Sequence, residues 1–266
     1  LAGFGARRAA AASAWHPSAL FAASEHGVVF YFNNFSNLFQ DSGGSTQVTA
    51  VDQPLGKLVD GSGLGNHDTQ ATSSKRSQLK VDGNGKYYLL PDGVDDFMET
   101  PAIDFSGTNK MTGFTGSYLE SSANLGILME LSSNMNSADA FVIYEPESDG
   151  VSKHQFLVHG TSPSGYSGIS ATISSAAKVV TDTSDRALSS DEQGLRINAS
   201  VPSFTRPYNS NLGGTFGNHP LYIGARAAGS YSYDGRIYAV IVRGAESTTQ
   251  EIDDAEAWVN GKTGAY

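Results

Sequence analysis

Short segments rich in β-branched and aromatic residues recur along the chain, separated by clusters of Gly, Ser, Asn and Asp. Such segments are typical of β-strands, and the polar clusters between them are typical of turns. The predicted strands lie at residues 27–32, 47–51, 55–59, 86–90, 111–118, 125–131, 140–144, 154–159, 169–173, 194–199, 220–223 and 235–243. Short strands at such intervals predict an all-β sandwich or jelly roll.

Two of these segments are apolar without interruption, at residues 27–32 and 237–242. A strand with one solvated face alternates between apolar and polar residues, whereas a strand covered on both faces does not. The pattern therefore predicts that both segments are buried on two sides, the second in the middle of a sheet.

A single helix is predicted at the C-terminal end. Residues 247–250 read STTQ, which favours a capping box in which Ser247 and Gln250 satisfy the first helical backbone groups. Ile252, Ala255 and Val259 follow at helical spacing, and Gly261 is expected to end the helix.

The chain has 266 residues, and 39% of them are hydrophobic, which suffices for one sizeable core. Residues 27–266 are therefore interpreted as one sandwich domain. The net charge of −10 argues against nucleic acid as a partner, because phosphate binding needs clustered Lys and Arg. No apolar run approaches the roughly 20 residues that a membrane-spanning helix needs, so membrane insertion is not expected.

Residues 1–26 lack the alternation of a strand and carry aromatic residues, including Trp15 and Phe21, among small ones. This segment is interpreted as an extended N-terminal arm for attachment or assembly. Arg7 and Arg8 followed by alanines are similar to the start of a signal peptide, but the apolar stretch after them is short for one.

Two acidic, Gly-rich motifs stand beside predicted strands: DGSGLGNH at residues 60–67 and DGVDDFMET at residues 92–100. They resemble the paired motifs of LamG-like domains in the concanavalin A-like lectin/glucanase superfamily. Further similar motifs follow in the family's order, namely LRIN at 195–198, PLYIG at 220–224 and DGRIY at 234–238. The resemblance implies a two-sheet antiparallel jelly-roll sandwich.

Within that superfamily the chain resembles domains of tailed-bacteriophage and prophage virions, partly through FQDSG at residues 39–43. It departs from them at residues 30–35, which read FYFNNF where two acidic residues are common. The resemblance implies a non-enzymatic fibre, collar or head-decoration protein in a virion or outside the cell. Its implied partners are other virion proteins, further copies of itself, with a trimer expected by analogy, and a host cell-surface glycan.

Oxygen-bearing side chains in the two motifs are candidate ligands for calcium, which prefers carboxylate, amide and carbonyl oxygens. The predicted metal site contains Asp60, Asn66, Asp92, Asp95 and Asp96. The alternative is that these residues only form turns, since Asp-Gly pairs bond to their own backbone. Asp95 and Asp96 would also point to opposite faces of a regular strand.

Four tyrosines in Gly/Ser-rich segments are candidate contacts for a glycan or a protein partner: Tyr166, Tyr208, Tyr231 and Tyr233. No catalytic residue is predicted. The string EIDDAE at residues 251–256 matches a glucanase pattern, but it lies inside the predicted helix, which would spread its acids around the helix. A secreted calcium-dependent lectin-like adhesion module is the first alternative function, and a glycan hydrolase is the second.

Overall fold

The computed structural model describes residues 15–133, 137–161, 165–227 and 229–266. The first fourteen residues of the predicted arm lie outside this part. The strands are β1 Gly27–Tyr31, β2 Leu38–Phe39, β3 Lys57–Leu58, β4 Asp68–Thr69, β5 Gln78–Val81, β6 Tyr87–Leu90, β7 Met98–Glu99, β8 Ile103–Asp104, β9 Lys110–Leu119, β10 Ile127–Leu131, β11 Phe141–Tyr144, β12 Lys153–His159, β13 Tyr166–Thr172, β14 Lys178–Asp185, β15 Gln193–Ile197, β16 Thr205–Asn209, β17 Asn218–His219, β18 Leu221–Ile223 and β19 Gly235–Arg243. The α-helix, α1, is Thr249–Thr263, and 3-10 helices form at Pro17–Phe21, Phe35–Asn37 and Ser73–Lys75.

These strands form two large antiparallel sheets. The seven-stranded sheet has the order β15-β14-β9-β19-β6-β5, with β1 also paired to β19. The ten-stranded sheet has the order β16-β13-β12-β11-β10-β18-β7-β4-β3-β2, and β8 and β17 form a separate pair. The predicted all-β sandwich with a short C-terminal helix is confirmed.

The main core fills the space between the two sheets. Alternate residues of β1, Val28 and Phe30, belong to it, while Val29 faces a second core on the outer side of the seven-stranded sheet. Strand β19 divides in the same way, with Val240 and Ile241 in different cores. The prediction that both apolar segments are buried on two faces is confirmed.

The second core lies under α1 and the N-terminal segment. Residues 15–26, the described part of the predicted arm, place Leu20 and Phe21 against Phe114 and Val259. His16, Tyr31 and Trp258 pack edge to face in one cluster beside them. This part of the arm therefore covers the sheet, and the predicted domain boundary at residue 26 stays a prediction.

Helix α1 is capped one residue later than predicted. Thr248, not Ser247, is the N-cap, and its side chain and that of Glu251 form the capping box. The helix continues through Gly261 to Thr263 and ends at Gly264, whose φ of 65° is left-handed. The N-cap was misplaced because Ser and Thr at three successive positions satisfy the capping pattern equally well. At the other end, Gly264 and not Gly261 adopts the left-handed conformation that ends the helix.

Two other sequence predictions differ from the structure. Residues 47–51 form an isolated bridge at Gln47 followed by a turn, in which Asp52 has a φ of 67°, and not a strand. Strands β14 and β16 were not predicted, because polar residues stand where apolar ones were expected: β14 reads KVVTDTSD and β16 reads TRPYN. Strand β5, which reads QLKV, was also missed.

A buried polar network joins the two sheets. Glu145, which follows β11, accepts a hydrogen bond from Lys178 of β14 at 2.8 Å and from the Tyr233 hydroxyl at 3.1 Å. His154 of β12 lies between two carboxylates, 3.2 Å from Glu145 and 3.1 Å from Asp182 of β14. Two carboxylates thus meet one lysine and one histidine, so the charges balance when the histidine is protonated.

The protonation states follow from this arrangement. Burial alone would lower the pKa of His154, but the charge of Asp182 and hydrogen bonds to Asp182 and Glu145 raise it to about 9. Burial would likewise raise the pKa of Glu145, but Lys178 and His154 lower it to about 2. His154 is therefore protonated and Glu145 ionised at neutral pH, and both take part in the contacts that join the two sheets.

We expect His154→Gln to lower the free energy of unfolding by about 3–5 kcal/mol, because it leaves Asp182 buried without a charged partner. Since the folded pKa of His154 lies above its value of 6.5 in the unfolded chain, its contribution is complete below pH 6.5 and is lost as the pH rises through 9. Urea titrations between pH 6 and 10 measure both effects. The exposed His26→Gln variant is the control, and equal stability of the two variants would contradict this account.

Candidate functional site

The motif at residues 92–100 forms a tight loop and β7. Asp92 Oδ1 accepts backbone N–H groups from Val94 at 2.8 Å and Asp95 at 3.1 Å, and Asp96 Oδ2 accepts the backbone N–H of Asp92 at 3.1 Å. Gly93 has a φ of 71°, a left-handed conformation that the loop requires. Adjacent residues point to opposite faces only in a strand, and residues 92–97 do not form one. Asp95 and Asp96 can therefore direct their carboxylates to the same place.

The loop brings three predicted metal ligands together. One carboxylate oxygen from each of Asp92, Asp95 and Asp96 lies within 4.8 Å of the others. Burial, and then the charges of Asp92 and Asp95, raise the pKa of Asp96 to about 6. Lys75 lies 3.5 Å from Asp95 and compensates part of this negative charge. Calcium at this cluster stays a prediction.

Asp60 and Asn66 do not join this cluster. Asp60 accepts hydrogen bonds from the backbone of Val29 at 3.0 Å and of Ser62 at 2.9 Å, and Asn66 donates to the carbonyl of Gly27 at 2.9 Å. Both side chains tie their loop to β1. This corrects the five-ligand prediction, because the first motif uses its oxygens to hold backbone rather than to complete the cluster at Asp92.

Tyr231 lies in a tight turn at the end of the sandwich. The turn is closed by the backbone bond from Arg226 to Ser230 at 2.8 Å, and Tyr231 itself has a φ of 56°. A non-glycine residue in this conformation is strained by about 1–3 kcal/mol and such residues cluster at functional sites. The side chain of Tyr231 is 46% exposed.

Arg226 fixes this turn on the ten-stranded sheet. Its Nε donates to Glu130 of β10 at 2.7 Å, its Nη2 donates to the Tyr144 hydroxyl at 3.0 Å, and its guanidinium lies 5.1 Å from the centre of the Tyr231 ring. The Arg226–Glu130 pair is almost fully buried. One face of the Tyr231 ring is thereby held against a cation.

The loop at Asp92 and the turn at Tyr231 meet at a surface cleft of about 320 Å³, which we call the rim cleft. Gly229 of the turn approaches the Asp95 carbonyl so closely that a Cβ there would lie 2.9 Å from it. The rim cleft is lined by Gly93, Asn124, Leu125, Asp149, Tyr231 and Ser232. It combines one exposed aromatic ring with a carboxylate and an amide, the composition expected of a small polar-ligand site.

Tyr166 and Tyr208 lie away from the cleft, on the outer face of the ten-stranded sheet. Their rings are 5.8 Å apart, and Tyr166 packs edge to face on His159 at 4.8 Å. Burial and the charge of Arg226 lower the pKa of His159 to about 4, so its ring is neutral at pH 7.

An apolar band connects these tyrosines to the cleft. It consists of Ile127, Val142 and Leu157, with Leu125, Tyr144 and Tyr166 packed against them. Leu125 also lines the rim cleft, so the band runs from the cleft across the sheet. Tyr208 of β16 is 48% exposed and pairs with Gly168 of β13. It extends the band toward the edge of the sheet.

The prediction that Tyr233 contacts a ligand is corrected. Its side chain is fully buried and its hydroxyl donates to Glu145 in the network between the sheets. Tyr231 and Tyr233 stand two residues apart in the segment that precedes β19, yet only Tyr231 reaches the surface, because the Tyr233 hydroxyl is bound inside by Glu145.

The acids at residues 251–256 lie on α1, as the sequence predicts. Glu251 completes the capping box, and Glu256 pairs with Arg196 at 2.8 Å and accepts from Thr181 at 2.7 Å. Both acids therefore stabilise the helix and its attachment to the seven-stranded sheet.

Sequence reasoning missed Arg226, Glu130, Asn124 and Asp149. Arg226 and Glu130 are 96 positions apart, so nothing in the sequence associates them. Asn124 and Asp149 stand in turns, where their residue types are expected for conformational reasons alone. The feature of the sequence that could have indicated this site is the high content of Gly and Ser around Tyr231, which is typical of a surface loop.

Solved structures with similar folds include an arabinofuranosidase complexed with arabinofuranosyl-α-1,2-xylobiose, with a TM-score of 0.53 and 12% identity. The receptor-binding domain of botulinum neurotoxin type G has a TM-score of 0.52 and 12% identity. A structure of botulinum neurotoxin type C, whose cell entry depends on interaction with two ganglioside molecules, has a TM-score of 0.53 and 13% identity. These similarities establish that the chain shares a β-sandwich fold with them.

The alignments cover 93%, 87% and 76% of this chain and 65%, 50% and 48% of those structures, respectively. No protein-family model matches the sequence, and no curated protein matches it. Within the described residues, no helix is long and apolar enough to cross a membrane.

We expect Asp96→Asn to raise the free energy of unfolding at pH 7 by about 1–3 kcal/mol, because it removes a charge that the folded loop disfavours. The folded pKa of Asp96 lies above its unfolded value of 3.8, so wild-type stability declines as the pH rises through 6. In the variant this decline should disappear. Thermal unfolding between pH 4 and 8 is the measurement, with Asp254→Asn on α1 as the control.

Calcium provides a second arm of this experiment. If the three carboxylates bind calcium, millimolar calcium should raise the melting temperature of the wild type and have no effect on Asp96→Asn. Unchanged stability of Asp96→Asn at pH 7 would contradict the electrostatic account, and an equal calcium response in both proteins would contradict the metal site.

Proposed function

We propose that this domain binds a glycan in the rim cleft without cleaving it. The observation that carries the proposal is the geometry of Tyr231. Its ring is exposed, its backbone is held in a left-handed turn, and Arg226 backs one face of the ring while the side chain lines the cleft. A rigid aromatic surface of this kind offers contact area at little conformational cost.

The other cleft residues supply the polar contacts that a sugar ring needs. Asp149 uses Oδ1 to accept the backbone N–H of Leu125 at 2.6 Å, which fixes the carboxylate at the cleft, and its side chain is exposed. Asn124 is also exposed and provides both a donor and an acceptor. Hydroxyl groups of a saccharide can bond to both while an apolar face of the sugar packs on Tyr231.

The structural neighbours support a saccharide as the ligand class. One was solved with a xylobiose derivative, and another is a toxin whose cell entry depends on gangliosides. Beyond the cleft, the half-buried Leu125 and Tyr166 and the exposed Tyr208, which lie along the buried apolar band, give a longer glycan a second contact region.

Binding without cleavage is favoured by the charges in the cleft. Glycoside hydrolysis commonly uses two carboxyl groups about 5–10 Å apart on either side of the bond. Among the residues that line the rim cleft, Asp149 is the one carboxylate. The acids of α1 are engaged in the capping box and with Arg196.

We further propose that the domain belongs to a bacteriophage virion, as a fibre, collar or head-decoration protein that recognises a host-surface glycan. This placement rests on the resemblance of the motifs at residues 60–67 and 92–100. A secreted lectin-like adhesion module is the alternative, and a requirement for calcium during glycan binding would favour it.

We expect Tyr231→Ala to weaken binding of a short glycan about tenfold, because it removes the ring that contacts the sugar. A glycan array identifies the ligand, and titration calorimetry with that ligand measures the affinity. Tyr231→Phe, which keeps the ring, should bind like the wild type. Tyr266→Ala removes another exposed tyrosine, 54% exposed, and should leave affinity unchanged.

Unchanged affinity in Tyr231→Ala would place the binding site elsewhere. Release of smaller sugars from the bound glycan, measured by chromatography of the same mixture, would contradict the non-enzymatic proposal. If Tyr208→Ala binds long glycans more weakly than the wild type but binds short glycans equally well, the apolar band is an extension of the site.

If the N-terminal segment attaches the domain to a particle, deletion of residues 1–14 should leave a folded sandwich that no longer assembles. The truncation keeps Leu20 and Phe21, which cover the seven-stranded sheet. Deletion of residues 1–26 removes these side chains, and we expect it to lower the melting temperature as well. Incorporation of the shorter truncation into particles would contradict the attachment role.

A further inference from the structure

A cavity of about 250 Å³ lies at the C-terminal end of α1, where the helix meets β6 and β19. Its lining contains Lys86 and Lys262 together with the rings of Tyr87 and Tyr238. Strand β6 begins at this cavity with Tyr87 and leads through Leu90 toward Asp92 at the rim cleft, so the two sites lie beyond opposite ends of one strand.

Both ammonium groups are held in place by single hydrogen bonds. Lys86 Nζ donates to the carbonyl of Gly261 at 2.9 Å, and Lys262 Nζ donates to Asn33 Oδ1 at 3.1 Å. Lys262 also lies 4.5 Å from the ring centre of Trp258 and 5.1 Å from that of Tyr31. An ammonium has three donors, so each lysine retains capacity for a further partner.

Neither lysine has a carboxylate partner among the described residues, although the chain is strongly acidic. The net charge is −10, and most lysines and arginines of the described residues form ion pairs, such as Lys80 with Asp52 and Lys110 with Glu246. Lys86 and Lys262 form none there. Two unpaired cations that share one cavity are unexpected where acidic groups are abundant.

The helix end does not neutralise them. The carbonyls at the end of α1 carry about half a negative charge, whereas the two lysines carry two positive charges. Both lysines line the same cavity, and burial, and then the charge of Lys86, lower the pKa of Lys262, as expected for two nearby ammonium groups. An anion between them would remove the repulsion between these charges.

We propose that this cavity binds an anionic group, a carboxylate, sulfate or phosphate carried by a ligand, between Lys86 and Lys262. Tyr87 forms a wall on which an adjacent ring or apolar part of the ligand packs. The site is separate from the rim cleft and does not depend on the function proposed there.

Asp82 is the acidic group that could compete with such a ligand. Its Oδ2 accepts the hydroxyl of Tyr238 at 3.2 Å, and its Oδ1 accepts the backbone N–H groups of Asn84 and Lys86 at 2.9 Å. These bonds hold the carboxylate on its own turn, and no ion pair joins it to either lysine among the described residues. The ammonium groups are thus left for an external anion.

The test is titration of the full chain with D-glucuronate, inorganic phosphate and inorganic sulfate, with D-glucose as the neutral probe. We expect at least one anion to bind, D-glucose to bind no tighter than background, and about 0.5 M NaCl to weaken the interaction. Binding of glucuronate alone identifies a saccharide carboxylate as the ligand group, and binding of phosphate or sulfate alone identifies that oxyanion.

Lys86→Gln and the double variant Lys86→Gln/Lys262→Met should each weaken anion binding about tenfold or more, because each removes a charged donor. Lys57→Gln is the matched control, since Lys57 also forms no ion pair with the residues that the structure describes but lines a different cleft. If the double variant unfolds, the affinity of Lys86→Gln is the result that decides. We expect this single variant to fold, because the hydrogen bond that it loses joins the Lys86 ammonium to a carbonyl in the last turn of α1.

No binding of any anion, or equal affinity in the wild type and Lys86→Gln, would overturn the proposal. Tyr231→Ala should bind the anions like the wild type. Failure at the rim cleft and failure at this cavity are therefore distinguishable in the same set of proteins.

Discussion

The rest of the structure depends on one buried arrangement of charges, in which Glu145 and His154 from the ten-stranded sheet meet Lys178 and Asp182 from the seven-stranded sheet. Taking these four groups out of water is costly, and the cost is offset only when all of them are paired. The network therefore links the two sheets through paired charges at fixed positions on β12 and β14. It also contains the Tyr233 hydroxyl, which fixes the chain at the start of β19.

The buried network also fixes one side of the rim cleft, because Tyr233 and Tyr231 belong to the same segment before β19. Tyr233 is anchored in the interior, and two residues earlier Tyr231 is exposed, so a short segment joins the core to the surface. The second anchor is Arg226, whose pairing with Glu130 holds the other side of the turn on β10. Because the turn is anchored on both sides of Tyr231, its ring loses little entropy when a ligand packs on the exposed face, which makes a strained turn useful for recognition.

The pattern of residues was sufficient to predict the sandwich, the doubly buried β1 and β19, and the terminal helix, because apolar segments and capping residues report local structure. It failed for β14, whose inward-facing residues include Lys178 and Asp182: a strand that carries a buried polar network does not show apolar alternation. Three of the predicted ligands, Asp92, Asp95 and Asp96, do lie together in one loop, whereas Asp60 holds backbone elsewhere. The sequence could not separate the two cases, since the same Asp-Gly chemistry serves backbone turns and metal ligation alike. Contacts between distant positions, such as Arg226 with Glu130, have no local signal.

The central claim is that a glycan occupies the rim cleft and packs one of its sugar rings on the side chain of Tyr231. The most direct measurement is a two-dimensional NMR titration of the isotope-labelled domain with a glycan identified on an array. The account predicts that the largest shifts fall on the backbone amides of Gly93, Asn124, Asp149 and Tyr231. Shifts confined to other surfaces, with these four amides unchanged at saturation, would contradict it.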